Sequence, residues 1–312
     1  MLYFQEKIYS LKEPIRVSGK IYYNNNIFFL IYENCFHKFI GEISNFENNL
    51  KSSLLNYIHS FSKLENNLSF ENAITFLKSI DNPKIEFGFD QIISNIFGIN
   101  YNNVLINGFI PFLNKKQLSE KIIFYKNNNI KTIKVKLGRN NFSEDIEIIE
   151  FIIKLFPDVI LKFDVNGAWN FEDAKKNIEN LIKYNFDYIE DPVANIDYLI
   201  KLENLFPKKI AVDEYIRDRK NFEEIIISDL FNVIVAKPSN IGGFFYFNEI
   251  RKKVKNKRVI ISSMYESNIG VKHLINIASL FGNETHGLST INLYKEEEYL
   301  DLKIENNFIK VI

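Results

Sequence analysis

A single cysteine in 312 residues rules out an internal disulfide, which suits a reducing compartment and a fold held by its own core. Cys35 lies in an apolar stretch with no helix start or basic cluster beside it, so a buried, unreactive thiol is expected. Net charge is missing too. Lys+Arg and Asp+Glu both number 39, which removes any global pull toward nucleic acid or anionic lipid. No stretch approaches the roughly 18 apolar residues of a membrane span. The first residues, interrupted by Glu6 and Lys7, lack the apolar segment of a signal peptide. The expectation is a cytoplasmic protein acting on a small molecule, with no nucleic-acid partner and no membrane insertion. Zinc-type spacing is absent among His37, His59, His273 and His286, which are read as structural.

What is present falls into two regions. Up to about residue 98, the β-type segments YFQEKIYSL, GKIYYNNNIFFLIYE and HKFIGEIS are followed by helical patterns in LKSSLLNYIHSFSKL, SFENAITFLKSI and FGFDQIISNIFG, which reads as an α+β domain. From residue 103 short apolar strands alternate with amphipathic helices: NVLINGFI, TIKVKLG, VILKFDV, FDYIED, KIAVDE, NVIVAKP and RVIISSM. Such alternation gives a barrel or a doubly wound sheet. The turn after the first strand has neither G-x-G-x-x-G nor a P-loop, which favours the barrel. The asparagine runs 24–26 and 127–129 are read as loops within a background compositional bias.

Six polar residues stand at or just past strand ends: Lys136, Asp164, Glu190, Asp213, Lys237 and Ser263, at intervals of 28, 26, 23, 24 and 26 residues. That is one strand, one helix and two loops per step, and the working side chains of such barrels gather at the C-terminal rim. Lys134 and Lys136 are two apart on one strand and face the same way, with Ile133, Val135 and Leu137 facing the helices. A desolvated lysine beside a second cation suits a proton-abstracting base. Asp164, Glu190 and Asp213 at one rim repel one another unless a cation lies between them, and an oxygen-only set suits Mg²⁺, or Mn²⁺. Lys237 brings a second amine across the barrel. Gly242 and Gly243 allow close backbone approach to a ligand, and Ser262 and Ser263 suit hydrogen bonding to a carboxylate, with Glu266, Ser267 and Asn268 in the following loop.

In order and spacing, KVK (134–136), DVNGAW (164–169), EDP (190–192), DE (213–214), KPSNIGG (237–243) and SSMYESNIG (262–270) resemble the muconate-lactonizing subgroup of the enolase superfamily. The close of the barrel, NIASLFGNETHGLST at 276–290 followed by NLY, is most similar to the o-succinylbenzoate synthases. The resemblance implies a modified TIM (β/α) barrel over 99–290 and an N-terminal α+β capping domain over 1–98, to which the tail 291–312 returns. It implies Mg²⁺ on Asp164, Glu190 and Asp213, Lys136 as acid/base, Lys237 on the opposite substrate face, and Lys134 supporting Lys136 and the substrate carboxylate. Asn166, Gly242, Ser262 and Ser263 are the expected substrate contacts, and segments 15–20 and 41–44 the loops that close over the site. The implied reaction is a dehydration giving 2-succinylbenzoate, with epimerisation of a dipeptide or racemisation of an N-acylamino acid as the rival, and a non-catalytic binding or scaffold barrel as the alternative outside enzymes. Dipeptide epimerases place Asp-x-Asp at the end of the last strand to hold an ammonium, where this chain reads His286-Gly287-Leu288-Ser289-Thr290. Lys162, where many synthases carry arginine, and Ser289 with Ile291 in the final motif are departures from that pattern.

Overall fold

In a computed structural model, residues 1–17, 20–44, 50–99, 102–139, 141–291, 293–296 and 302–311 are described. β1 (Leu2–Val17), β2 (Lys20–Glu33) and β3 (Lys38–Ser44) form an antiparallel sheet in that order. Pro14 cannot donate to a ladder, and the pairing shifts between Ser10 and Ile15. At that bulge β1 pairs with the tail instead, where Lys12 N–H donates to Leu293 O at 2.9 Å and Lys295 N–H to Ser10 O at 2.9 Å. The helices α1 (Lys51–Leu64), α2 (Phe70–Lys78) and α3 (Pro83–Ile96) cover the sheet around Phe28, Leu30, Phe61, Phe76 and Phe89. β3 lies directly on α3: a Cβ at Gly41 would sit 2.1 Å from Gly88 O.

Four expectations need correction here. Residues 41–44 are not a loop but the end of β3, pressed against α3. The stretch 15–20 is the end of β1 and the start of β2, with 18–19 outside the described residues. Asn24–Asn26 lie within β2, and the buried Asn25 amide donates to Ser44 Oγ and Tyr294 Oη, both at 2.7 Å, so partners from two other segments make an apolar setting tolerable. Cys35 is exposed, because the apolar stretch around it turns over between β2 and β3.

The remaining elements alternate: β4 (Val104–Leu105), β5 (Gly108–Ile110), α4 (Lys115–Asn127), β6 (Thr132–Lys136), α5 (Phe142–Leu155), β7 (Ile160–Asp164), α6 (Phe171–Leu181), β8 (Phe186–Glu190), α7 (Ile196–Leu205), β9 (Ile210–Val212), α8 (Arg219–Ile227), β10 (Val233–Ala236), α9 (Phe244–Ile250), β11 (Arg258–Ile261), α10 (Asn268–Ala278), β12 (Leu302–Glu305) and β13 (Phe308–Val311). β5 to β11 form one parallel sheet in sequence order. His286 bridges Ile106 and Gly287 bridges Ser262, so a two-residue segment completes the ring. The fold is the expected modified TIM barrel with a strand-rich N-terminal cap. The predicted first strand, 103–110, is split: β5 joins the barrel, whereas β4 pairs with β13 of the C-terminal hairpin.

Local chemistry explains the helix starts. Asn114, Asn141, Asn170, Asn195, Asp218 and Ser267 each accept a backbone N–H of the helix that follows. Much of the asparagine therefore has positional work, including left-handed turns at Asn129, Asn166 and Asn256. Inside the barrel, Tyr188, Ala211, Val233, Val235 and Ile260 fill the space below the rim. The pairing of β7 with β8 shifts between Leu161 and Phe163, which face Phe186 and Ile189. This bulge turns both Tyr188 and Glu190 inward while Phe186 and Ile189 join the outer core.

Candidate active site

Parallel pairing places Lys136 beside Asp164 and Asp164 beside Glu190 on consecutive strands. Strand alternation sends Ile133 and Val135 into the outer core and both lysines to the other face. Lys134 is buried with its ammonium 2.9 and 2.8 Å from the two Glu190 oxygens and 3.1 Å from Asp164 Oδ2. Across the ring, Lys237 pairs with Asp213 Oδ2. Lys136 is half-buried at the rim, its ammonium 5.9 Å from the centre of the Phe112 ring. The structure thus clusters Lys134 and Lys237 with the three carboxylates named from the sequence, and sets Lys136 beside Asp164 by strand register.

Electrostatics follow from this packing. Burial alone would lower the Lys134 pKa, but Asp164 and Glu190 outweigh it and hold the amine well above the usual lysine range. Lys237 is raised in the same way by Asp213, and Asp213 is held below its ordinary value by Lys237 and Lys134 against its own burial. Glu190 is pushed well up by burial, with Lys134 opposing the rise and Asp164 and Asp213 adding to it.

Asp213 Oδ1 is buried and has no hydrogen-bond partner among the described residues. An all-oxygen set with one orphaned carboxylate oxygen fits a hard divalent cation such as Mg²⁺. Asp191 was not singled out in the sequence. Among the described residues, the three carboxylates whose oxygens lie within 4.8 Å of one another are Asp191, Asp213 and Glu214, so of the expected ligands Asp213 alone belongs to that group. The two Asp191 oxygens accept the N–H groups of Asp213 (3.2 Å) and Glu214 (2.8 Å), which makes Asp191 a brace for the end of β9. Burial next to Asp213 pushes Asp191 up to about 8.

The expected substrate contacts fare unevenly. Asn166 is exposed, and its backbone N–H, not its side chain, holds Asp164 Oδ1 at 3.2 Å. Ser262 and Ser263 are half-buried at the rim, and Ser263 Oγ pairs with Thr290 Oγ1. The space beside Gly242 and Gly243 is not open to a ligand. A Cβ on Gly242 would meet Arg219 Nη2 at 2.8 Å, and one on Gly243 would meet Asp90 Cγ at 2.2 Å. These glycines admit Asp90 of α3, which accepts Phe244 N–H (2.9 Å) and Phe245 N–H (3.1 Å) at the start of α9. Lys162 lies deeper than the rim: it donates to Thr285 O (2.6 Å) and Oγ1 (2.8 Å), and burial lowers it to about 7. His286 accepts Ile261 N–H at Nδ1 (3.0 Å) and burial lowers it to about 3, a structural role.

Comparison with known proteins agrees with this geometry. L-Ala-D/L-Glu epimerase of Francisella tularensis subsp. novicida is 29% identical over 183 residues, covering 55% of this chain and 50% of the relative. The o-succinylbenzoate synthase of Thermobifida fusca is 25% identical over 197 residues, covering 62% and 61%. The chain thus matches about half to three-fifths of the length of these curated relatives. A crystal structure of a dipeptide epimerase from Enterococcus faecalis, complexed with Mg and L-Leu-L-Tyr, shares the fold with a TM-score of 0.80 at 18% identity, covering 100% of this chain and 96% of that one. The family model described as enolase C-terminal domain-like matches residues 118–309, and with the barrel and its acidic rim this places the chain in the enolase superfamily.

Proposed function

We propose that the protein is an o-succinylbenzoate synthase, dehydrating 2-succinyl-6-hydroxy-2,4-cyclohexadiene-1-carboxylate to 2-succinylbenzoate, a step of menaquinone biosynthesis, in the cytoplasm. In this reading residues 1–98 cap a catalytic barrel over 99–290, and Asp164, Glu190 and Asp213 hold Mg²⁺. The bound ion supplies Lewis-acid stabilisation of charge developing on the substrate carboxylate. Lys136 removes the proton next to that carboxylate, and the same amine, now an ammonium, returns it to the departing hydroxyl on the same face. One C–H and one C–O bond break, water leaves, and the ring becomes aromatic. Lys134 holds Asp164 and Glu190 in place, and Lys237 faces the opposite side of the ring as a fixed cation.

The observation that carries the reading is the composition of the segment closing the barrel. Residues 286–290 run from the bridges at Ile106 and Ser262 to the contact of Thr290 with Ser263, and none is acidic. An ammonium of a free dipeptide would need a carboxylate there, whereas a dianion with a succinyl arm needs donors. The test is to assay purified protein, with Mg²⁺ and after exhaustive chelation, against the cyclohexadiene carboxylate, an N-succinylamino acid and an unblocked dipeptide. Metal-dependent aromatisation is expected, followed by its ultraviolet change. Rapid α-proton exchange in the dipeptide without dehydration would replace the synthase reading by an epimerase one.

A further inference from the structure

The balance of charge over the whole chain conceals an uneven distribution in space. In a parallel barrel every helix ends, and the strand after it begins, at the end opposite the rim. The connections that follow α4 to α10 are 126–131 (KNNNIK), 154–159 (KLFPDV), 182–185 (IKYN), 205–209 (LFPKK), 227–232 (ISDLFN), 251–257 (RKKVKNK) and 279–285 (SLFGNET). Together they carry eleven Lys or Arg against three Asp or Glu, and nine of the eleven cations are exposed. One of the three carboxylates, Glu284, is taken up by Arg258 of β11 at 2.8 Å. With 39 cations and 39 carboxylates in the chain, these base loops are positive by eight charges and the remainder is negative by as many.

Large aliphatic side chains stand among these cations. Ile182 caps the end of α6, Leu205 and Ile227 are the last residues of α7 and α8, Ile160 opens β7, and Leu230 lies between α8 and β10. All are exposed, Ile227 by 67% and Ile182 by 57%. A single exposed aliphatic residue needs no explanation, but here they recur on consecutive helix ends at one end of the barrel, interleaved with lysines. A nucleic-acid backbone would engage the cations and leave these aliphatic groups in water. The boundary between anionic lipid headgroups and acyl chains takes both, and the long lysine stems can lie along it with their ammonium groups among the phosphates.

We infer that the base of the barrel is a docking surface for an anionic lipid bilayer, with the lysines of 251–257 at headgroup level and Ile182, Leu205 and Ile227 reaching the boundary beneath. Attachment is peripheral, since among the described residues no helix is long and apolar enough to cross a membrane. The rim, at the other end of every strand, then faces away from the lipid and stays open to water. The inference is independent of which reaction the rim performs.

The test sediments the full-length protein with vesicles of phosphatidylcholine alone and of equal parts phosphatidylcholine and phosphatidylglycerol, at about 0.05 M and about 0.5 M NaCl. Recovery with the anionic vesicles at low salt, little with the neutral ones and release at high salt are expected. The exposed-loop variant Lys252→Gln, Lys253→Gln, Lys255→Gln should partition about a hundredfold less. Ile182→Ser with Ile227→Ser should partition about tenfold less at an unchanged melting temperature. Orientation is read with an environment-sensitive fluorophore. Attached to Ile227→Cys in a Cys35→Ser background, its emission should shift to the blue on binding, whereas on the native Cys35, exposed in the cap, it should not. Failure to bind anionic vesicles, equal binding to neutral ones, a lysine variant that binds as wild type does, or a blue shift at Cys35 alone would each overturn the inference. Binding to a DNA duplex but not to vesicles, undiminished in the isoleucine variant, would overturn it in favour of a nucleic-acid partner.

Discussion

Lys136 and Lys134 differ by one turn of the strand pleat and by their company. Lys134 is neutralised by two carboxylates at 2.8–3.1 Å, so its proton is not available for exchange with a substrate. Lys136 lies at the rim over the face of Phe112, and under the proposed function it is the amine for proton transfer. Lys136→Ala should therefore lower kcat by more than the roughly 10²–10⁴-fold of a general base, because it serves both transfers, while KM changes less than about tenfold. Steady-state kinetics on the aromatisation would check this, and a variant within tenfold of wild type in kcat would place the base elsewhere. The convergence of these carboxylates and lysines was legible from the sequence because β strands deliver one side chain per 23–28 residues to one rim. Asp191 was not, because its work is done on backbone N–H groups 22 and 23 residues further on, just past the next strand, and no spacing rule reports that.

At the scale of elements, the barrel and its cap are joined by close backbone approaches that composition does not announce. Gly243 was read as room for a ligand, but the room is filled by Asp90, a carboxylate buried between the start of α9 and His273, whose Nε2 is 2.8 Å away. Gly243→Ala should destabilise the fold by about 1–3 kcal/mol, since either α3 or α9 must shift. Gly98→Ala is the control: its site is open, so only the positive φ of 66° is penalised, at about 1 kcal/mol. Urea denaturation of the two variants would separate these, and equal losses would remove the packing argument. The strands and most helices follow from hydrophobic period and asparagine caps. The bulge in β8 and the split of the first barrel strand do not, because both are decided by tertiary pairing.

For the molecule as a whole, two more buried carboxylates hold cap to barrel alongside Asp90. Glu42 of β3 accepts from Ser267 and Gly270 at the start of α10, and Glu86 of α3 pairs with Arg219 of α8. Burial raises both from 4.5 to about 7, with Glu266 adding to the shift at Glu42 and Asp90 to that at Glu86, while Arg219 opposes it at Glu86. A carboxyl that the fold keeps protonated stabilises fully below its ordinary 4.5, and that contribution is lost as pH rises through about 7. Melting temperature should thus fall from pH 5 to pH 8, and the fall should flatten in the Glu42→Gln, Glu86→Gln double variant. An unchanged slope would assign the pH dependence to other groups. The two-residue closure of the ring at His286–Gly287 has a different consequence. Seven arcs of the ring are full strands and one is a clasp, so local opening at low free energy is concentrated there. The clasp adjoins Ser262, and the chain beyond it supplies Thr290 and Tyr294, whereas Asp164, Glu190 and Lys134 sit on central strands. Under the proposed function, substrate choice and bond-breaking are thereby lodged in parts of unequal firmness, so that changes in the tail retune the first while leaving the second intact.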